Sequence, residues 1–354
     1  MDLSVIEFLR RKYCGKLPPQ CFIYMDTGQE YVMSVADTAE KIRNMEIRGA
    51  GKIARSAAGA LSEYSAEIAA RNMPLNEYLQ SMHKAADILK GTRPTAVSLP
   101  NAVNITLRGI DSATVTDTAD ADRLLQKNAS EFIESSKLAL QNIAEIGARY
   151  IRDGDTVMTH CNSNAAISCM LKAHEQGKDF EVFATEVRPR NQGYLTIKTL
   201  SDAGIKTNFI VDSAVRYFMK KVSLVITGCD AVTVNGAVIN KIGTSQIALC
   251  AQEARVPFIV VGETYKFAPK TVMGGHIDIE ERDASEIMPA EKAALLKNVT
   301  IRNPAFDVTP AEYVDYIITE KGAIPPAMAY LVIREYLGWE IGEFDTIRNG
   351  KNDS

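Results

Sequence analysis

The chain has 354 residues, of which 46% are hydrophobic and 24% charged, and its formal net charge is −4. That composition suits a globular protein of one large domain or two smaller ones. It argues against nucleic-acid binding driven by bulk positive charge, and no apolar run approaches the roughly 20 residues of a membrane span.

The opening residues, Met1 to Lys12, lack the basic-then-apolar order of a secretory signal. Residues 1–33 carry Cys14, Cys21 and Pro18-Pro19 without a clear period, and they read as an N-terminal extension. A genuine extension and translated upstream sequence with Met33 as the start compete, and the reading leans to the second. From Ser34 to Asp153 the pattern is helical. Ala39, Ile42, Met45 and Ile47 recur as one helix face does, and Ile53, Ala54, Ala57, Ala58, Leu61 and Ala66 mark a second helix. Residues 75–89 and 121–151 follow, the last long and amphipathic. This predicts a helical domain over 34–153 ending in a long connecting helix.

From 154 to 354 the chain changes character. Short β-rich runs (157–158, 182–184, 208–211, 224–227, 258–261, 316–318) alternate with helical stretches that include 165–175, 197–203 and 242–254. Such alternation predicts an α/β fold: a doubly wound, mostly parallel, Rossmann-like sheet domain.

The stretch Asp155–Ser168 reads as a buried strand, a polar turn and a helix start, with Cys161 where the strand ends. In a doubly wound sheet that end faces the ligand crevice. A thiol beside a helix N-terminus can become a thiolate, and a small buried hydrophobe is the competing reading. Val225–Asp230 puts Asp230 at a second strand end, as a general acid or as a plain turn aspartate. Asn240-Lys241-Ile-Gly-Thr244 is a strand-to-helix junction whose lysine and amides suit a phosphate, and Lys266 follows the strand 258–261. Arg48-Gly-Ala-Gly-Lys52 resembles a phosphate loop but lacks the P-loop spacing. Arg93 and the charges of Glu186–Gly193 complete the set, where a guanidinium suits a phosphate or a carboxylate equally. Lys241 and Lys266 each also read as solvated turn lysines. The six cysteines show no CxxC pairing and the four histidines no ligand spacing, so the reading is a reduced, cytoplasmic protein with no metal.

The motifs THCNS (159–163), TEVRPRNQG (185–193), VDSAVRYFM (211–219), GCDAVTVNGAVINKIGT (228–244), ETYKF (263–267), NPAFDVTP (303–310) and ITEKG (318–322) carry a resemblance. They resemble the family that joins translation initiation factor 2B regulatory subunits with sugar-phosphate isomerases, over about Ser34 to Trp339. Asn44–Ala58 and Thr92–Ala102 are most similar to its archaeal ribose-1,5-bisphosphate isomerase branch.

That resemblance implies conversion of α-D-ribose 1,5-bisphosphate to D-ribulose 1,5-bisphosphate in AMP catabolism, without a cofactor. It implies Cys161 as proton acceptor and Asp230 as proton donor. It implies Arg48, Gly49, Ala50, Gly51, Arg93, Ser163, Asn164, Ala165, Asn240, Lys241 and Lys266 as substrate-binding. The implied partner is a small sugar bisphosphate, not nucleic acid or membrane, and the implied assembly is a homo-oligomer, a hexamer of three dimers. A basic role for Cys161 calls for a depressed thiol pKa, expected from the helix end and nearby cations. Methylthioribose-1-phosphate isomerase is the enzymatic alternative and a non-catalytic regulatory subunit the other. Relatives carry a C-H-S-K-like run where this chain has Cys161-Asn-Ser-Asn164, which removes one cation.

Overall fold

The structure, a computed structural model, describes residues 33–47, 49–93, 96–273 and 277–337. The expected N-terminal extension lies outside them, apart from Met33, which opens the first helix.

Five helices come first among the described residues: α1 (Met33–Arg43), α2 (Ala50–Ala69), α3 (Leu75–Lys90), α4 (Ser98–Thr106) and α5 (Thr118–Ala148). Ile42, Ile53, Leu61, Ile68, Tyr78, Met82, Leu89, Leu99 and Leu125 fuse their apolar faces into one core. The pattern expected to carry α1 to Ile47 stops at Arg43, because Met45 turns left-handed at φ 67°. Helix α4 falls where the sequence pattern marks no helix, and it contains Pro100. The proline falls in the first turn, where a missing N–H costs nothing. Helix α5 has 31 residues, about 46 Å of rise. Asp117 caps it by accepting from the Asp120 amide at 2.8 Å.

The rest of the chain alternates strand and helix: β1 (Thr156–Thr159), α6 (Asn164–Glu175), β2 (Glu181–Thr185), α7 (Gly193–Asp202), β3 (Lys206–Ile210), α8 (Val215–Met219) and β4 (Leu224–Gly228). It continues with β5 (Ala231–Val232), β6 (Val238–Lys241), α9 (Thr244–Ala254), β7 (Phe258–Val261), α10 (Ala290–Ala293), β8 (Phe306–Thr309), β9 (Tyr316–Thr319), β10 (Gly322–Ile324) and α11 (Ala329–Leu337).

Seven strands form one sheet in the order β10-β9-β7-β4-β1-β2-β3. Every neighbouring pair is parallel except β10 with β9. Alternate residues feed opposite faces, as the pleat requires. Met158, Val225, Phe258, Val260 and Ile317 enter one core, while Val157, Ile226, Ile259, Val261 and Ile318 enter the other. Strands β4 and β7 are buried throughout, which explains their continuous apolar runs.

The chain order runs β1, β2, β3 to one side and β4, β7, β9 to the other, so the sheet reverses between β1 and β4. Ligands of doubly wound sheets bind outside the strand ends at that switch point. The small antiparallel sheet β5-β6-β8 was not anticipated. Its β6 delivers Asn240 and Lys241 toward the same end of the molecule as β4.

Candidate active site

Strand β1 ends at Thr159, and His160 behind it is buried, 1% exposed. Its Nε2 lies 2.9 Å from the Ile242 carbonyl, and its Nδ1 lies 2.6 Å from the Thr185 hydroxyl. A carbonyl only accepts, so Nε2 carries the proton and Nδ1 accepts from Thr185. Burial lowers the histidine's pKa and keeps it neutral. It ties the ends of β1 and β2 to the β6–α9 turn.

Cys161 follows in the left-handed region at φ 65°, a conformation that costs a residue with a side chain. The Thr196 hydroxyl holds it there by donating to its carbonyl at 2.7 Å. The thiol donates to Gln192 Oε1 at 3.4 Å. Ser163 then caps α6, accepting from the Ala166 amide at 3.3 Å. Asn164 and Ala165 are the first residues of α6, where amides have no partner within the helix.

Strand β4 brings the second group. Gly228 closes it, and a β-carbon there would stand 2.2 Å from the Ser163 hydroxyl. Only glycine lets the two strand ends approach so closely. Cys229 points into the core and Asp230 is half-buried, its amide bonded to the Ile239 carbonyl at 2.9 Å. Cys161 and Asp230 therefore sit at the ends of adjacent strands on either side of the switch point.

Lys241 ends β6. Its Nζ donates to the Ala305 carbonyl at 2.8 Å and lies 4.5 Å from the centre of the Phe306 ring. Burial lowers its pKa, and the Cys161 thiol partly offsets that. The reciprocal effect on Cys161 corrects an expectation. Burial pushes the thiol up to about 11, and Lys241 pulls against it without prevailing. The expected depression weighed the helix end and the cations but not desolvation.

The amides at the start of α9 also depart from expectation. Gly243 sits at φ 103°, and its amide and that of Ser245 donate to Asp307 at 2.7 and 3.1 Å. Burial pushes that carboxyl up to about 6. The anion there is the protein's own, so this turn offers a phosphate the Lys241 ammonium rather than these two amides. The Asn240 side chain is likewise engaged, donating to the Thr244 hydroxyl at 2.9 Å.

Lys266 lies on the far side, in the turn after β7. It is 7% exposed and forms a 2.8 Å ion pair with Glu263. Burial opposes its charge, but Glu263, Cys229 and Tyr265 together outweigh it and raise its pKa. Tyr265 donates to Glu263 at 2.9 Å and accepts from Ser136 of α5 at 3.2 Å. Asn101 of α4 donates to the Tyr265 and Phe267 carbonyls at 2.9 and 2.8 Å. Gly49 and Ala50 open α2, whose Gly51 comes against the Tyr265 hydroxyl and Glu263. The helical half thus reaches the sheet half at Lys266.

Arg93 lies apart from these groups. It contacts Glu280 at 3.1 Å across a cleft of about 450 Å³ that Arg190, Arg282 and Glu286 also line. Arg48 falls outside the described residues. Among the described residues no group of three or more His, Cys, Asp or Glu side chains could hold a metal ion, and no helix is long and apolar enough to cross a membrane.

A family model described as the Initiation factor 2 subunit family matches residues 46–326. The chain belongs to this family. It is 54% identical over 305 residues to the ribose 1,5-bisphosphate isomerase of Methanocaldococcus jannaschii, covering 86% of this chain and 96% of that protein. It is 36% identical over 338 residues to the methylthioribose-1-phosphate isomerase of Acetivibrio thermocellus, covering 89% and 96%. Among solved structures, the Pyrococcus horikoshii OT3 translation initiation factor eIF-2B superposes with a TM-score of 0.70 at 30% identity, covering 84% of this chain and 98% of that one.

Within this Initiation factor 2 subunit family member, four groups of the site were missed from the sequence: His160, Gln192, Glu263 and Asp307. All four lie inside the motifs quoted above, without a role assigned to them there. Glu263 stands three residues before Lys266, a spacing that could have marked it as the lysine's partner. Asp307 is 64 residues from the amide it serves, and no local signal links the two.

Proposed function

We propose that this protein isomerises α-D-ribose 1,5-bisphosphate to D-ribulose 1,5-bisphosphate. The observation that carries the reading is the placing of one thiol and one carboxylate at adjacent strand ends flanking the switch point. Lys241 acts on that thiol, while Lys266 and Arg93 are held farther off by Glu263 and Glu280.

The C1 oxygen of this sugar bears a phosphate, so ring opening cannot release a free aldehyde. Asp230 gives a proton to the ring oxygen as its bond to C1 breaks. Cys161 takes the C2 proton, and the electron pair of that bond forms the C1–C2 double bond of an enol phosphate. A proton returns to C1 while the C2 hydroxyl loses its own, which leaves the ketose. The thiolate that takes the C2 proton is a minority species at neutral pH, because burial opposes it, and the Lys241 charge stabilises it when it forms. General acid and base steps of this kind each contribute on the order of 10² to 10⁴ in rate.

With this reading go a role in AMP catabolism that supplies ribulose bisphosphate carboxylase, a cytoplasmic location and assembly as a dimer-based hexamer. The test is an assay of the purified protein with ribose 1,5-bisphosphate and with methylthioribose 1-phosphate, scored for ketose. Turnover of the bisphosphate, abolished in Cys161→Ser and in Asp230→Asn with the fold intact, is the expected result. Turnover of the methylthio compound alone would overturn it, and so would near-normal activity in either variant.

A further inference from the structure

The connection between β7 and β8 carries two charged residues, Glu280 and Arg282, that the sequence did not single out. Glu280 is shared by two guanidinium groups from different halves of the chain. Its Oε2 is 3.1 Å from Arg93, between α3 and α4, and its Oε1 is 3.2 Å from Arg282 Nε. The second contact is one of charge only: Nε is buried and makes no hydrogen bond. One carboxylate between two guanidiniums balances only one of their charges. A phosphate dianion in its place would balance both, beside an Arg190–Glu286 pair that is already matched.

Arg282 also stands at a junction. Its side chain is 12% exposed. It lines the outer cleft with Arg93 and the narrow crevice with Lys241 and Gln192. Its charge acts on Lys241, and that of Lys241 acts on Cys161. Arg282 is thus the cation that links the cleft mouth to the thiol.

We propose that Arg282 determines specificity for a doubly phosphorylated sugar, its guanidinium and that of Arg93 trading Glu280 for one of the two phosphates. This rests on the function proposed above and names the group that would select its substrate. A methylthio group carries no charge and cannot displace Glu280, so the exchange favours a bisphosphate over a monophosphate. Glu280 holds both arginines at the cleft in the absence of ligand and competes with the phosphate for them.

The test is calorimetric binding of ribulose 1,5-bisphosphate and of ribulose 1-phosphate, which lacks the 5-phosphate, to the whole protein. The wild type is expected to prefer the bisphosphate. Arg282→Gln is expected to lose tenfold or more in affinity for the bisphosphate and less than twofold for the monophosphate. Glu280→Gln, which removes the competitor, is expected to bind the bisphosphate severalfold more tightly. A wild type without preference would overturn the functional reading and this inference together. A wild type with a preference that Arg282→Gln retains, or equal losses on both ligands, would overturn the inference alone. Weaker bisphosphate binding by Glu280→Gln would do the same. Should Arg282→Gln not fold, Arg282→Lys carries the test, with a threefold to tenfold loss expected on the bisphosphate only; unchanged binding there overturns the inference.

Discussion

The hydroxyl of Ser163 occupies the space that a side chain on Gly228 would need, with 2.2 Å between that oxygen and the position of a β-carbon. The cap of α6 and the last residue of β4 are thereby locked together, and Cys161 and Asp230 lie two residues to either side of that lock.

Gly228→Ala should therefore disturb the site and the fold together. Overpacking of this kind costs about 1–3 kcal/mol. The expected result is a destabilisation of that order in denaturant unfolding and a loss of turnover greater than the stability change explains. Adding Ser163→Gly, which removes the obstructing atoms while leaving a tolerated cap residue, should recover most of the stability. A double variant no more stable than Gly228→Ala would show that the contact does not matter.

The buried thiol gives a pH dependence. With its pKa pushed up to about 11, the thiolate fraction grows about tenfold per pH unit through the neutral and mildly alkaline range. The rate limited by proton removal should rise with that slope. Lys241→Met removes the cation that favours the thiolate and should shift the rising limb to higher pH. A pH–rate profile of each protein, taken at saturating substrate, measures both; a flat profile from pH 7 to 9 would exclude Cys161 as the limiting base.

Asp307 gives a separate dependence, on stability. Its carboxyl is raised from 3.8 to about 6, so the folded protein holds a proton there that the unfolded chain has released. The protonated form thus favours folding below about pH 4, and that contribution is lost as pH rises through 6. Asp307→Asn should flatten the unfolding free energy across this window. An unchanged pH–stability curve between 4 and 6 would contradict the assignment.

Glu263 is the buried partner of Lys266, 3% exposed. Removing one member of a buried ion pair costs about 3–5 kcal/mol, because the other is left without compensation. Glu263→Ala should lose stability of that order in thermal unfolding. Lys266→Met with Glu263→Leu, which removes both charges, should be closer to wild type in stability and inactive.

Much of this architecture follows from local pattern. The alternation of β-rich and helical runs after Asp155 marks out the doubly wound sheet, and the chain punctuation puts Cys161 and Asp230 at strand ends. That β1 and β4 are neighbours does not follow, because the strands are not consecutive and their order is set by how helices cover both faces. Helix α4, which contains Pro100, has no sequence pattern that marks it. The sheet β5-β6-β8 pairs strands of two and four residues, too short for a period to show. The thiol's raised pKa was illegible for a related reason. Desolvation depends on every element packed around Cys161, whereas the sequence shows only its immediate neighbours.

Helix α5 belongs to two cores at once. Its Leu125 packs among the helices of the first half, and its Ile143 packs against the underside of the sheet. Neither core can be dissolved without stripping a face from this one rod, so loss of order in one half is transmitted to the other. Heating should therefore melt the molecule in a single calorimetric peak. Cutting the chain in the turn before β1 would leave the sheet fragment with a bare apolar groove where α5 had lain, prone to self-association unless the helical fragment is supplied alongside it.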